Sequence, residues 1–283
     1  MKKFRECFMQ VLFMLSALVS IIAVALICIF LFANGVPAIR EIGLADFLTG
    51  TSWKPEQNIY GILPMIIGSI YVTAGAMLIG VPIGILTALF LVHFCPAGLY
   101  RFLKPAVDLL AGIPSIVYGF FGLTVIVPAI RNGLGGSGSS MLAASVVLGI
   151  MILPTIINVS ESAIRAVPVS YYEGSLALGA SHERSVFFTV LPAAKSGVFA
   201  AVILGMGRAV GETMAVIMVA GNQTAMPGGP LQGLRTLTAN IVLEMAYAAD
   251  LHRGALIATA VVLFVFILII NLSFSLLKRR AKL

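Results

Sequence analysis

Six apolar stretches, at approximately 8–33, 61–94, 105–130, 141–160, 196–221 and 254–277, take up most of the chain. Each is long enough to cross a hydrocarbon layer, which takes about 20 helical residues. Backbone in such a layer must satisfy its own hydrogen bonds, and for separate runs of this length the helix does so. The expectation is an all-α membrane protein with six transmembrane helices. The chain is 60% hydrophobic and only 10% charged, whereas soluble domains carry roughly one quarter charged residues. The second stretch contains Pro64 and Pro82 and exceeds one crossing, which predicts a tilted or broken helix with an interfacial extension.

The formal charge is +7, and where the basic residues fall matters more than their sum. With the amino terminus inside, the inner segments hold Lys2, Lys3, Arg5, Arg101, Lys104, Arg165, Arg184, Lys195, Lys278, Arg279, Arg280 and Lys282, which is 12. The outer segments hold Arg40, Lys54, Arg131, Arg235 and Arg253, which is 5, and Arg208 alone lies within a span. That asymmetry follows the positive-inside rule and predicts a multi-pass membrane protein with both termini in the cytoplasm. Membrane lipid accounts for the charge without nucleic acid. The run after Lys2, Lys3 and Arg5 is too long for a signal-peptide core and lacks a small-x-small exit, so it reads as an uncleaved first helix. Cys7, Cys28 and Cys95 are odd in number and widely spaced, which suits packing rather than a disulfide or a metal site.

The loops differ in character. The first outer loop, 34–60, mixes Trp53 and Tyr60 with Asp46, Lys54 and Glu56, as an amphipathic interfacial segment does. The third, about 222–253, is turn-rich around Met226–Pro230 and predicts a short helix at 236–249. Either surface suits an extracytoplasmic partner or simple connecting structure. Gly133–Ser140, GLGGSGSS, has the glycine spacing of a phosphate-cradling loop but carries Ser139 where the lysine belongs and follows no strand, so it reads as a turn. No cofactor is expected in this chain, and any use of ATP and Mg belongs to a partner.

The longest inner loop, 161–195, reads as a helical hairpin. Pro168 suits a helix start, Gly179 a left-handed helix end, and Ser181 a cap with Glu183 and Arg184 in the following turn. Its Tyr171, Tyr172, Leu176, Val186, Phe187 and Phe188 exceed what a solvated connector needs, so either a cytoplasmic partner or the protein's own helix ends bury them. Glu173-Gly174-Ser175, Gly179 and Thr189-Val190-Leu191-Pro192 resemble the Glu-Ala-Ala loop of binding-protein-dependent importers, with Glu, Gly, Leu and Pro at the family spacing. Both alanines and the isoleucine are replaced, by Gly174, Ser175 and Thr189. The resemblance implies that Glu173, Gly174, Gly179, Leu191 and Pro192 couple the membrane helices to an ATPase subunit.

The fifth stretch places Arg208 and Glu212 inside an apolar run. At about 1.5 Å per residue, Arg208 lies roughly 18 Å from Ser196, near mid-membrane. A charge there costs at least about 2.5 kcal/mol on insertion scales, so it should face a bundle interior or an aqueous path. Arg208 and Glu212 share a helix face and form a neutralising pair in the simplest reading. The alternative is a substrate path in which the guanidinium holds an oxyanion bidentately. Gly205, Gly207 and Gly211 permit either close packing or room for substrate.

Gly205–Thr213 with its continuation to Asn222, Phe47–Trp53 and Ile113–Gly119 together resemble the PstC family of phosphate-importer permeases. The resemblance implies the type I ABC importer permease (MetI-like) fold. Residues 1–60 would form the first transmembrane helix and outside interfacial loop, and 61–283 a five-helix permease core containing the hairpin 161–195. The implied partners are a sister PstA-like permease, two PstB-like ATPase subunits and a PstS-like phosphate-binding protein. Arg208, Glu212 and Thr213 are the expected substrate-path residues. Sulfate or molybdate would suit the same arginine. The histidines, His93, His182 and His252, are scattered, and no H-E-x-x-H or G-x-S-x-G is present, so an integral-membrane enzyme is disfavoured. A passive channel would have no use for an ATPase-docking hairpin. Asp108 reads as a local capping or pairing group.

Overall fold

A computed structural model describes residues 2–280, with side chains described except at 2–5, 7, 274, 275 and 277–280. The expectations for Cys7 and for the terminal basic side chains fall outside those described. Helix α1 (Lys2–Ile42) is followed by α2 (Leu44–Thr49), a small hairpin of β1 (Trp53–Lys54) and β2 (Ile59–Tyr60), and α3 (Leu63–Leu89). Then come α4 (Ala97–Gly112), α5 (Ser115–Phe121), α6 (Val127–Leu134) and α7 (Met141–Arg165). Helices α8 (Val169–Ala177), α9 (His182–Ser185) and α10 (Leu191–Ala193) make the hairpin, and α11 (Lys195–Gly211), α12 (Met214–Val219), α13 (Leu237–Glu244) and α14 (Asp250–Arg280) complete the chain.

Among the described residues, five helical segments are each long and apolar enough to cross a membrane: Phe8–Ile42, Leu63–Phe94, Ser115–Leu134, Met141–Arg165 and Asp250–Ser273. His182–Ala193 and Lys195–Gly211, bent by 71°, make a sixth when counted together. The second span is not broken at Pro82; it continues to Phe94 through a π-helical turn at Phe90–Phe94. The third differs from the expected 105–130. Pro105 sits inside α4, and the chain breaks at Ile113 and Pro114, both extended, before α5 starts the crossing. The residue before a proline is driven out of helical geometry, and the apolar residues on both sides hide that break from a hydropathy reading.

The core is α3 against α7. Their backbones approach closely because Gly80 and Gly84 face Ile152 and Ile156, where an added Cβ would lie 2.7 Å from the isoleucine side chains. Tyr118, Val127, Ala209, Val216 and Val219 extend this cluster. A second cluster at the β-hairpin end joins Ala38, Phe47, Trp53, Tyr60, Met65, Leu237 and Leu256. The third, at the end carrying α8–α10, joins Leu89, Ile164, Val186, Val190 and Val198. Residues 8–27 of α1 are exposed throughout, and further along, around Gly35 and Ala38, α1 meets α14.

Trp53 and Tyr60 of the first outer loop are both buried within the protein, packed with Phe47, Met65 and Leu237, and the indole Nε1 donates to Glu244 Oε2 at 2.8 Å. In the third outer loop Thr236 caps α13, its hydroxyl accepting from Ala239 N. The glycine-rich segment is a turn, with Gly135, Gly136 and Gly138 at positive φ and Arg131 Nε donating to Ser137 O.

Candidate functional site

Helix α11 ends one residue before Glu212, so the expected single helix over 196–221 is two helices with an extended link. Glu212 has φ −72° and ψ 132°, and its own backbone N–H and C=O both find partners. Glu212 N donates to Ala209 O, Thr238 Oγ1 donates to Glu212 O at 3.1 Å, and the Glu212 carboxylate accepts Ala215 N at 3.1 Å. That last bond caps α12, which is why the break is tolerated within an apolar segment. Thr213 Oγ1 donates back to Gly211 O at 3.3 Å.

This geometry removes the neutralising-pair reading. Arg208 and Glu212 no longer share one helix, and no Arg208 ion pair within 4.0 Å occurs among the described residues. Arg208 Nη1 donates instead to Thr155 Oγ1 on α7 at 3.1 Å. A guanidinium has about five N–H donors, so most of its capacity stays open in a half-buried setting. The three glycines also separate. A Cβ at Gly205 would lie 2.9 Å from Ile156, so that glycine permits helix packing, whereas Gly207 and Gly211 face space with nothing within 4 Å. Arg208 thus lies on a face of α11 stripped of side chains by Gly207 and Gly211. Such a place can hold an oxyanion by charge and paired hydrogen bonds.

The hairpin forms as its capping residues predict. Pro168 precedes α8, Gly179 has φ +84°, and the Ser181 hydroxyl accepts Arg184 N. Glycine at 179 is favoured because an L side chain is strained there. The apolar residues divide between the two expected fates. Val186 is buried in the core and Tyr172 packs beside it, with Tyr172 Oη 2.7 Å from His182 Nδ1. Tyr171, Leu176, Phe187 and Phe188 stay exposed, as do Glu173, Gly174, Gly179 and Pro192, while Leu191 is partly buried against the core. Two departures from the family motif meet in space. Thr189 Oγ1 donates to Ser175 Oγ at 3.3 Å, and Ser185 Oγ lies 3.0 Å from the same atom, so hydroxyls tie the two arms of the hairpin together.

Two buried acids escaped the sequence reading. Glu161 accepts from Tyr100 Oη at 2.7 Å and from Arg165 Nε at 3.0 Å, with Lys104 Nζ 3.0 Å away. Its hydrogen bond, and then burial, raise the Tyr100 phenol above its ordinary range, keeping it a donor. Lys104 also reaches Asp108 at 3.3 Å, the local pairing expected of that acid. Glu244 accepts from Trp53, Arg235 and His252, the last at 2.9 Å. A carboxylate only accepts, so His252 carries a proton on Nε2. The i,i+4 spacing of Glu161 and Arg165 was the signal for the first acid; local spacing offered none for the second, whose Trp53 partner is 191 residues away.

Residues 80–283 match the model of the family described as binding-protein-dependent transport system inner membrane component. A probable ABC transporter permease, YqgH of Bacillus subtilis, is 41% identical over 266 residues, covering 90% of this chain and 86% of that protein. The phosphate transport system permease protein PstC of Mesorhizobium japonicum is 34% identical over 276 residues, covering 90% and 84%. A chain of the MetNI methionine ABC transporter, solved in inward-facing form, superposes with a TM-score of 0.61 at 20% identity, covering 81% of this chain and 99% of that one. That identity speaks for the fold alone, the type I importer permease arrangement.

Proposed function

Since the chain belongs to the family of binding-protein-dependent transport system inner membrane components and is a permease subunit of an ABC importer, we propose that its substrate is phosphate. The observation that carries this reading is the 34% identity, over nine-tenths of the chain, to a permease named for phosphate transport. The uncompensated Arg208 between two bare glycines supports it chemically.

In this reading the chain pairs with a PstA-like permease above two PstB-like ATPases, which use ATP and Mg, and receives phosphate from a PstS-like protein outside. Both termini and the α8–α10 hairpin lie in the cytoplasm, following the basic-residue asymmetry. The exposed Tyr171, Leu176, Phe187 and Phe188, with Glu173, Gly174 and Gly179, dock into the ATPase. Leu191 and Pro192 pass its motion to α11 through the 71° bend. Arg208 is a transient foothold for hydrogen phosphate. Glu212 and Thr213 form the adjoining break, and the Glu212 carboxylate, one turn away, is placed to compete for the guanidinium when α12 moves. A weak site suits transport, because substrate has to leave again.

The test is uptake of labelled phosphate in cells lacking this chain, complemented with the parent. Uptake that is restored, needs ATP and is unaffected by excess sulfate or molybdate is the expected result. Uptake abolished by either competitor assigns the chain to another oxyanion.

A further inference from the structure

At the end opposite the α8–α10 hairpin, a cavity of about 620 Å³ opens between the β1–β2 hairpin and the α13–α14 connection. Its floor is electrically settled, because the Glu244 carboxylate is taken by Trp53, Arg235 and His252. Its walls are aromatic: the His252 ring lies 6.2 Å from that of Tyr60 and 6.0 Å from that of Tyr247. At its rim stand the exposed carboxylates of Glu56 and Asp250, which make no ion pair among the described residues. Ring faces attract cations, and two carboxylates beside them add direct Coulomb attraction. The same pair repels an oxyanion, so this cavity is no antechamber for the substrate.

We propose that the cavity is a docking socket for a lysine or arginine side chain of the extracytoplasmic phosphate-binding protein. The proposal rests on the orientation and partner given under the function above. A protein side chain suits the socket better than a lipid headgroup does. A headgroup ammonium brings its own phosphate within a few ångströms, and that phosphate would meet Glu56 and Asp250. The β1–β2 hairpin lies outside the spans, and the α13–α14 connection runs into the first residues of the last span, which starts at Asp250, so a docking protein reaches both at this end.

The experiment measures the affinity of the phosphate-binding protein for the assembled importer in lipid nanodiscs. Binding to the parent complex tests the function proposed above; the ratio of variant to parent tests the socket. The double variant Glu56→Gln, Asp250→Asn should weaken binding about tenfold, with the loss shrinking at high salt. Tyr247→Ala should weaken it several-fold, while Tyr247→Phe, which keeps the ring, should leave it unchanged. All three side chains are exposed, so equal complex yields are expected and checked. Equal affinities for parent, double variant and Tyr247→Ala overturn the proposal. So does a double variant that loses bound lipid while its affinity holds, which gives the cavity to a headgroup.

Discussion

Replacing Glu161 with Gln tests what holds α4 to the core. Helix α4 has no fully buried residue, so hydrophobic burial does little to fix it within this chain. Its anchors are polar: Tyr100 and Lys104 on Glu161, Lys104 Nζ on Asn158 Oδ1 at 2.8 Å, and Tyr118 Oη donating to Leu110 O at 2.7 Å. A hydrogen bond to a charged group is worth about 1.5–3 kcal/mol. Arg165 is nearly half exposed, so its pairing adds under about 1 kcal/mol, and Lys104 keeps Asp108 and Asn158. Glutamine retains one acceptor for Tyr100, so the net loss is about 2 kcal/mol, or roughly thirtyfold in a local opening equilibrium. Amide exchange in nanodiscs should therefore accelerate roughly thirtyfold across Ala97–Gly112 and remain near parent rates in α7, which packs on α3 independently. Unchanged exchange in α4, or equal acceleration throughout α3 and α7, would refute the assignment of Glu161 as its anchor.

Gly179→Ala meets no atom within 4 Å but must adopt φ +84°, a cost of about 1–2 kcal/mol. Uptake should fall while spans stay intact, read by uptake beside protease resistance of the membrane-embedded part. Gly205→Leu, driven into Ile156, should destabilise the α7–α11 contact by about 1–3 kcal/mol and lower the thermal midpoint. Gly207→Ala enters open space and should leave that midpoint unchanged. Trp53→Phe removes the donor to buried Glu244 and should cost about 1–3 kcal/mol, seen as faster exchange in the Trp53–Tyr60 hairpin with α8 unaffected.

How much of this was legible in the sequence depends on the range of the interactions involved. The spans at Leu63–Phe94 and Met141–Arg165 follow from apolar length alone, and the hairpin follows from Pro168, Gly179 and Ser181, whose caps bond within a few residues. The two breaks stayed hidden because hydropathy does not register them. Ile113-Pro114 lies in an apolar run, and the link at Glu212 depends on Thr238, 26 residues on. The same distance effect concealed the inward turn of Trp53 toward Glu244. Arg208 was legible as a charge inside an apolar span, but its partner was not. Sequence spacing favoured Glu212, whereas folding brought Thr155 of α7 to the guanidinium and left the carboxylate to cap α12.

The central claim is that Arg208 serves the transported anion. The most direct measurement is uptake of labelled phosphate by Arg208→Gln in cells lacking the native chain, with membrane levels of all partner subunits checked. Glutamine keeps a polar N–H donor on this face of α11 without the charge, so normal assembly is expected together with uptake reduced to background. Uptake at the parent rate would contradict the account and make Arg208 a packing residue of the α7–α11 contact.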